Sequence, residues 1–282
     1  MAKANAEAKK KKETKVCEKK CFCKSDLFKR IATSVVLIPL VLFVLILGYP
    51  FLNLFVLFLG ALFAYEWSKM VENNNPAFYA TAYTVVFSLG IMFPLSLIFA
   101  VFLLLSALFV WFKAKGEKYR KLLVLGVFYV SVGMGSILWF AQEVGFFSTI
   151  WLLLMIWATD IGAFLVGPAL KGPKIAPKIS PNKRWSGALG GIIFAACVSA
   201  SYVWGAGNLD TYAPYVIFAV IVSIFGQIGD FVESAIKRCV GVKDSSQMIP
   251  GHGGLFDRMD SLLFVTPILV IVIICVKLFF KG

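Results

Sequence analysis

Residues 230–261 read DFVESAIKRCVGVKDSSQMIPGHGGLFDRMDS, and this stretch sets the terms for the rest of the chain. It gathers five carboxylates, four Lys or Arg residues, the only histidine and a Gly-His-Gly-Gly turn. Asp230, Glu233, Ser234 and Lys237 fall at i, i+3, i+4 and i+7, which places them on one face of a helix. The helical pattern fails after Gly241, and Pro250-Gly251-His252-Gly253-Gly254 reads as a tight loop that exposes backbone. Asp257, Asp260 and Ser261 then open a second apolar run, on one face and near a helix N-terminus. Two acidic faces thus flank a basic, glycine-rich loop. That layout suits a metal ion holding a polyphosphate.

Such polarity is the exception here. Of 282 residues 60% are hydrophobic and only 15% are charged, whereas a soluble domain carries about a quarter charged residues. Apolar runs of about 20 residues, enough to cross ~30 Å of hydrocarbon, recur throughout. The expected fold class is all-α, a polytopic membrane protein. Its expected spans are 31–48, 50–69, 77–94, 95–112, 121–140, 147–168, 186–205, 212–236 and 260–279. The third and fourth meet at Pro94 with almost no loop, and either one broken helix or a tight hairpin satisfies the pattern.

Charge orients these spans. With the N-terminus inside, 26 of the 28 Lys and Arg residues fall on the inner side, and Lys277 and Lys281 follow or end the last span. The outer loops near Pro50, Pro94, Gln142 and Asn208 have none. This positive-inside asymmetry favours nine spans with the N-terminus cytoplasmic and the C-terminus outside. The net charge of +13 is then topology and attraction to anionic membrane lipids, and no nucleic-acid partner is expected.

Three segments are expected: a basic low-complexity tail over 1–25 (natural or engineered), N-terminal transmembrane helices over 26–145, and C-terminal helices carrying the site over 146–282. The first apolar run is long and lacks an A-x-A-like end, so no cleavable signal is expected. Cys17, Cys21 and Cys23 lie in the tail without a histidine to complete a zinc site. Cys197, Cys239 and Cys275 read as packing residues.

Two features join the opening stretch. Asp160, in WATDIGAFLVG, sits well inside the sixth apolar run, where an ionisable group is costly. It either serves an ion or substrate or hydrogen-bonds a neighbouring helix. The loop KGPKIAPKISPNKRWSGALGG, residues 171–191, combines Lys174, Lys178, Lys183 and Arg184 with Ser180-Pro181, then Trp185 and the small Gly187, Gly190 and Gly191. It is either a positive-inside loop entering a helix or a phosphate-handling loop. Lys237, Arg238, Lys243 and Arg258 share that ambiguity, but they interleave with Asp244, Asp257 and Asp260 around glycines. Gly253 and Gly254 can bring backbone N–H groups close to phosphate oxygens. His252 could hold a turn or move a proton. With one histidine and many carboxylates, the metal expected is a hard, oxygen-liganded cation, Mg²⁺. Asp230 and Asp257 are its first candidate ligands, with Asp160 and Asp260 next. Glu66 is a weaker candidate that could instead pair with Lys69.

Ser234-Ala-Ile-Lys237-Arg238, Lys243-Asp244, Pro250-Gly251-His252-Gly253-Gly254 and Asp257-Arg258-Met-Asp260-Ser261 together resemble the phosphatidate cytidylyltransferase (CDP-diglyceride synthase) family. The similarity reaches back to Asp160-x-Gly162 and the Ser180-Pro181 loop, and it departs from the usual pattern at Asn182, Arg184 and Ser186. The resemblance implies that CTP and phosphatidate give CDP-diacylglycerol and pyrophosphate with Mg²⁺ required, and the number of carboxylates leaves room for a second cation. It also implies a homodimeric inner-membrane protein, and the charge asymmetry puts the polar stretch on the cytoplasmic side. Asp230, Asp257 and Asp160 would hold metal. Lys237, Arg238, Lys243, Asp244, His252, Arg258 and Asp260 would be catalytic, and Ser180, Lys183, Arg184, Ser234, Gly253 and Gly254 would bind substrate. A lipid monoester phosphate is already nucleophilic at neutral pH, so positioning and charge neutralisation suffice. A CTP-dependent membrane lipid kinase and a cation-coupled transporter are the rival readings.

Overall fold

The computed structural model describes residues 32–72, 74–94, 96–205, 212–248 and 253–279. The tail over 1–25 with its three cysteines, the loop at Asn208, and Pro250, Gly251 and His252 lie outside the described residues.

Nine helices are described: α1 (Ala32–Leu47), α2 (Phe51–Val71), α3 (Pro76–Met92), α4 (Leu97–Lys113), α5 (Arg120–Glu143), α6 (Phe146–Leu170), α7 (Trp185–Gly205), α8 (Tyr212–Val240) and α9 (Phe256–Phe279). Six of them, α2 and α5 to α9, are long and apolar enough to cross a membrane, while α1, α3 and α4 are shorter apolar helices. The molecule is therefore a polytopic α-helical protein. Pro168 and Pro267 sit inside helices, which long apolar spans tolerate where neighbours satisfy the freed backbone groups.

The ambiguity at Pro94 resolves into two helices. Pro76 opens α3 at a position where its missing N–H costs nothing. The next helix, α4, starts afresh, with the Ser96 hydroxyl accepting from the Phe99 N–H at 3.1 Å.

The loop over 171–184 is more ordered than its composition suggests. It forms an antiparallel hairpin, β1 (Lys174–Ala176) with β2 (Ser180–Arg184), pairing Lys174 with Arg184 and Ala176 with Ser180. Pro177 occupies the second position of its turn, closed by Ile179 N–H donating to Ala176 O at 3.1 Å. The wholly helical expectation is corrected by this one hairpin. The prolines at 173, 177 and 181 exclude a helix there and leave the backbone to pair as strands.

Side chains are packed around two centres. Phe63, Trp67, Tyr83, Phe87, Val127 and Phe256 anchor one, and Leu152, Met155, Val222, Val265 and Leu269 the other. Among lipid tails, release of water drives little helix association, so tight van der Waals contact and hydrogen bonds carry it. Tyr83 donates to Leu123 O at 2.6 Å and Trp67 Nε1 to Leu122 O at 3.1 Å, fixing α2 and α3 to the start of α5. The α6–α7 seam depends on glycine. A Cβ on Gly191 would lie 2.7 Å from Thr159 O, and one on Gly187 would lie 2.9 Å from Ala163 O. Thr159 donates to the Ser223 hydroxyl at 2.9 Å and Gln227 to Ala188 O at 3.2 Å, bringing α8 into the same bundle.

Cys197, Cys239 and Cys275, expected to pack inside, are exposed free thiols. A small apolar side chain needs no burial where the outer face of a helix meets lipid, so apolar context does not distinguish inside from outside.

Candidate active site

Much of the charge of the sequence condenses where α8, α9 and the hairpin meet. Helical periodicity puts Asp230, Glu233 and Lys237 on one face of α8, and α8 ends at Val240, just before Gly241 turns with φ +83°. The first two turns of α9 supply Asp257 and Asp260. Carboxylate oxygens of Asp230, Glu233 and Asp260 lie within 4.8 Å of one another.

Lysines from two elements answer them. Lys237, with little exposure, places Nζ 2.8 Å from Glu233 Oε1 and 2.8 Å from Asp257 Oδ1. Lys183, carried by β2, pairs with Asp230 and stands 4.4 Å from the Phe231 ring centroid. Four carboxylates thus face two ammonium groups, with Arg258 and Asp160 within electrostatic reach at the edge. The surplus of negative charge in a partly buried setting is the condition a hard divalent cation relieves. Three oxygens at this mutual spacing fit its ligand shell, since ligands of ~2.0–2.6 Å lie up to about 4–5 Å apart across the ion. Asp230, Glu233 and Asp260 would hold it.

Asp257 has other partners. It accepts from Gly254 N–H at 2.9 Å and from Ser245 N–H at 3.3 Å, besides pairing with Lys237. It therefore grips the chain entering α9, and its charge lies at the favourable N-terminal end of that helix. Asp260 accepts from Ser261 N–H at 2.7 Å, and Ser261 donates to Gly226 O at 3.1 Å, locking α9 against α8.

The remaining expected residues are distributed around this centre. Arg238 donates to Ile179 O at 3.3 Å and Val242 O at 3.0 Å, so it ties the hairpin to the end of α8. Arg184 braces the hairpin through Gly172 O at 2.9 Å. Ser180 starts β2, and Ser234 is half-buried on α8. Lys243, Asp244 and Arg258 are exposed, and so is Asp160 on α6. Gly253 takes φ +86° beside Asp257 Oδ2. His252 lies outside the described residues.

Three groups outrun the sequence reading. Glu233 joins the carboxylate cluster directly, and its i+3 spacing from Asp230 was the available signal. The Tyr129 hydroxyl from α5 is buried without a hydrogen-bond partner among the described residues and lies within electrostatic reach of Asp260 and Glu233; nothing in an apolar run marks it. Glu66 is only 1% exposed. The expected Lys69 pairing gives way to bonds from the Ser245 hydroxyl at 2.5 Å and the Phe256 N–H at 3.0 Å, while Lys69 lies over the Tyr65 ring.

Residues 28–276 match the family described as "Cytidylyltransferase family". A phosphatidate cytidylyltransferase of Brucella suis is 32% identical over 258 residues, covering 87% of this chain and 92% of that protein. The protein of the same name in Bacillus subtilis is 46% identical over 116 residues, 41% of this chain and 43% of its own. In Staphylococcus haemolyticus another is 41% identical over 145 residues, 51% of this chain and 55% of its own.

Proposed function

The chain belongs to the cytidylyltransferase family, and from that premise we propose that it transfers a cytidylyl group from CTP to phosphatidate, giving CDP-diacylglycerol and pyrophosphate. The observation that carries this reading is the meeting of Asp230, Glu233 and Asp260 with Lys183 and Lys237. The phosphate oxygen of phosphatidate attacks the α-phosphorus of CTP, and the bond from that phosphorus to the β-phosphate oxygen breaks. Pyrophosphate leaves with the electron pair. No side-chain nucleophile is required.

A divalent cation, Mg²⁺ in this reading, would neutralise charge on the reacting phosphates when bound at the three carboxylates. Lys237 keeps Glu233 and Asp257 at fixed separation. Lys183 pairs with Asp230, and its ammonium would be available to phosphate when that carboxylate held a cation instead. Arg258, at the start of α9, is placed to meet the triphosphate or the leaving pyrophosphate. Asp257 and Lys237 order the glycine-containing chain before α9, where backbone N–H groups suit phosphate oxygens.

The same reading has nine spans, the N-terminus and active site cytoplasmic, and the C-terminus outside, supported by the placement of Lys and Arg. It locates the protein in the inner membrane as a homodimer, with residues 26–145 as supporting helices and 146–282 as the catalytic half. Purified protein given CTP, Mg²⁺ and phosphatidate should release pyrophosphate. Release of CDP would favour lipid kinase chemistry, and turnover of neither would favour a transporter.

A further inference from the structure

Glu66 does something that neither its place in an apolar helix nor the carboxylate cluster explains. It lies on α2 between Phe63 and Trp67, 1% exposed. Among the described residues no Lys or Arg forms an ion pair with it. A buried carboxylate is costly unless its oxygens are hydrogen-bonded. Both oxygens are used: Oε1 accepts from the Ser245 hydroxyl at 2.5 Å and Oε2 from the Phe256 N–H at 3.0 Å. These partners lie 179 and 190 positions away. Ser245 lies within the connection from α8 to α9, and Phe256 is the first residue of α9.

The surroundings reinforce the grip. The Phe256 ring sits 5.3 Å from that of Phe63, 5.4 Å from Trp67 and 5.8 Å from Tyr129. A Cβ on Gly254 would collide with Glu66 Oε1 and Ser245 Oγ, so glycine alone fits between them. From the opposite side Asp257 takes the N–H groups of the same two residues, Gly254 and Ser245, and passes to Lys237 and Glu233. The connection is thus clamped between Glu66 outside the carboxylate cluster and Asp257 beside it. Negative charge at the N-terminus of α9 also complements that helix's dipole.

We propose that Glu66 is a positioning residue for the nucleotide site: it holds Ser245 and the first N–H of α9 so that the phosphate-facing chain and Asp257 stay in register with the α8 carboxylates. This rests on the cytidylyltransferase reading above. The role requires two hydrogen bonds, one to the Ser245 hydroxyl and one to the Phe256 N–H, rather than a charge. In Glu66→Gln, Oε1 can accept from Phe256 N–H while the amide donates to the Ser245 oxygen, so both bonds survive. Glu66→Leu keeps bulk and loses both, and Ser245→Ala loses one in a half-buried position.

The test combines amide hydrogen exchange on the nucleotide-free protein with kinetics over CTP and phosphatidate separately. Glu66→Leu and Ser245→Ala should speed exchange at 242–248 and 253–257 while the other helices keep their protection. They should raise KM for CTP by about tenfold or more with KM for phosphatidate unmoved, and Glu66→Gln should stay within about threefold of the parent on both readouts. An active parent whose Ser245→Ala variant leaves local exchange and CTP KM unchanged overturns the proposal. So does a loss of protection spread over all helices, or equal rises in both KM values, since these mark a general structural role. A parent that makes no CDP-diacylglycerol sinks the cytidylyltransferase reading instead, and the exchange data tell the two failures apart.

Discussion

Lys237 Nζ lies 2.8 Å from Asp257 Oδ1, joining the last turns of α8 to the first turn of α9 across the carboxylate cluster. Its second bond, 2.8 Å to Glu233 Oε1, makes one ammonium the counter-charge of two carboxylates of low exposure. Removing one member of a buried ion pair costs about 3–5 kcal/mol because the partner charge stays uncompensated. Lys237→Ala should therefore abolish most activity, a loss of about a hundredfold or more. Lys115 and Lys121 are exposed outside this network. Ala at either should leave turnover within about threefold, an effect below ~1 kcal/mol. Steady-state kinetics at saturating lipid over a range of CTP separates the two classes, and three equal small effects would mean that the cluster is only a topological charge.

Asp→Asn keeps shape and removes the charge a hard cation prefers. Asp230→Asn and Asp260→Asn should lower turnover by orders of magnitude and shift the Mg²⁺ titration to higher concentration. Asp257→Asn should be as damaging, through loss of the Lys237 pair and a weaker hold on the Gly254 and Ser245 N–H groups, but without that shift in the Mg²⁺ midpoint. Near-normal activity across the three variants would remove the cation assignment.

Glycine at the α6–α7 seam gives a stability prediction. Gly191→Ala puts a methyl 2.7 Å from a backbone oxygen that cannot rotate away, whereas Gly135, inside α5, has open space at its Cβ position. Thermal unfolding in detergent should show Gly191→Ala destabilised by about 1–3 kcal/mol. Gly135→Ala should instead be neutral or stabilised by about 0.5–1 kcal/mol, from helix propensity.

The proposed nine spans would put the two ends of the chain on opposite sides of the membrane. A reporter at Gly282 should read as outside and one at Lys118 as inside. Both on one side would break the odd span count.

Much of this was legible because two signals are local. Helix positions follow from apolar runs, and Asp230, Glu233 and Lys237 were readable as one face because 3.6-residue periodicity fixes their neighbours. What the sequence concealed is non-local. The Glu66 bonds to Ser245 and Phe256 join residues 179 and 190 apart, and no spacing rule reaches so far. The hairpin carrying Lys183 to Asp230 read as a loop because its prolines and lysines depress strand propensity, and only backbone pairing reveals it. The division of labour between Asp257 and Glu233 depended on which carboxylate Lys237 and the Gly254 N–H reach, a matter of rotamer and turn geometry.

The central claim is that the α-phosphoryl group of CTP ends on the lipid. Purified protein with Mg²⁺ and phosphatidate should be given α-labelled and γ-labelled CTP in parallel, with lipid and aqueous products separated. The account predicts α-label in a CDP-linked lipid and γ-label in pyrophosphate. Label from the γ-position in the lipid, with CDP left in solution, would contradict it.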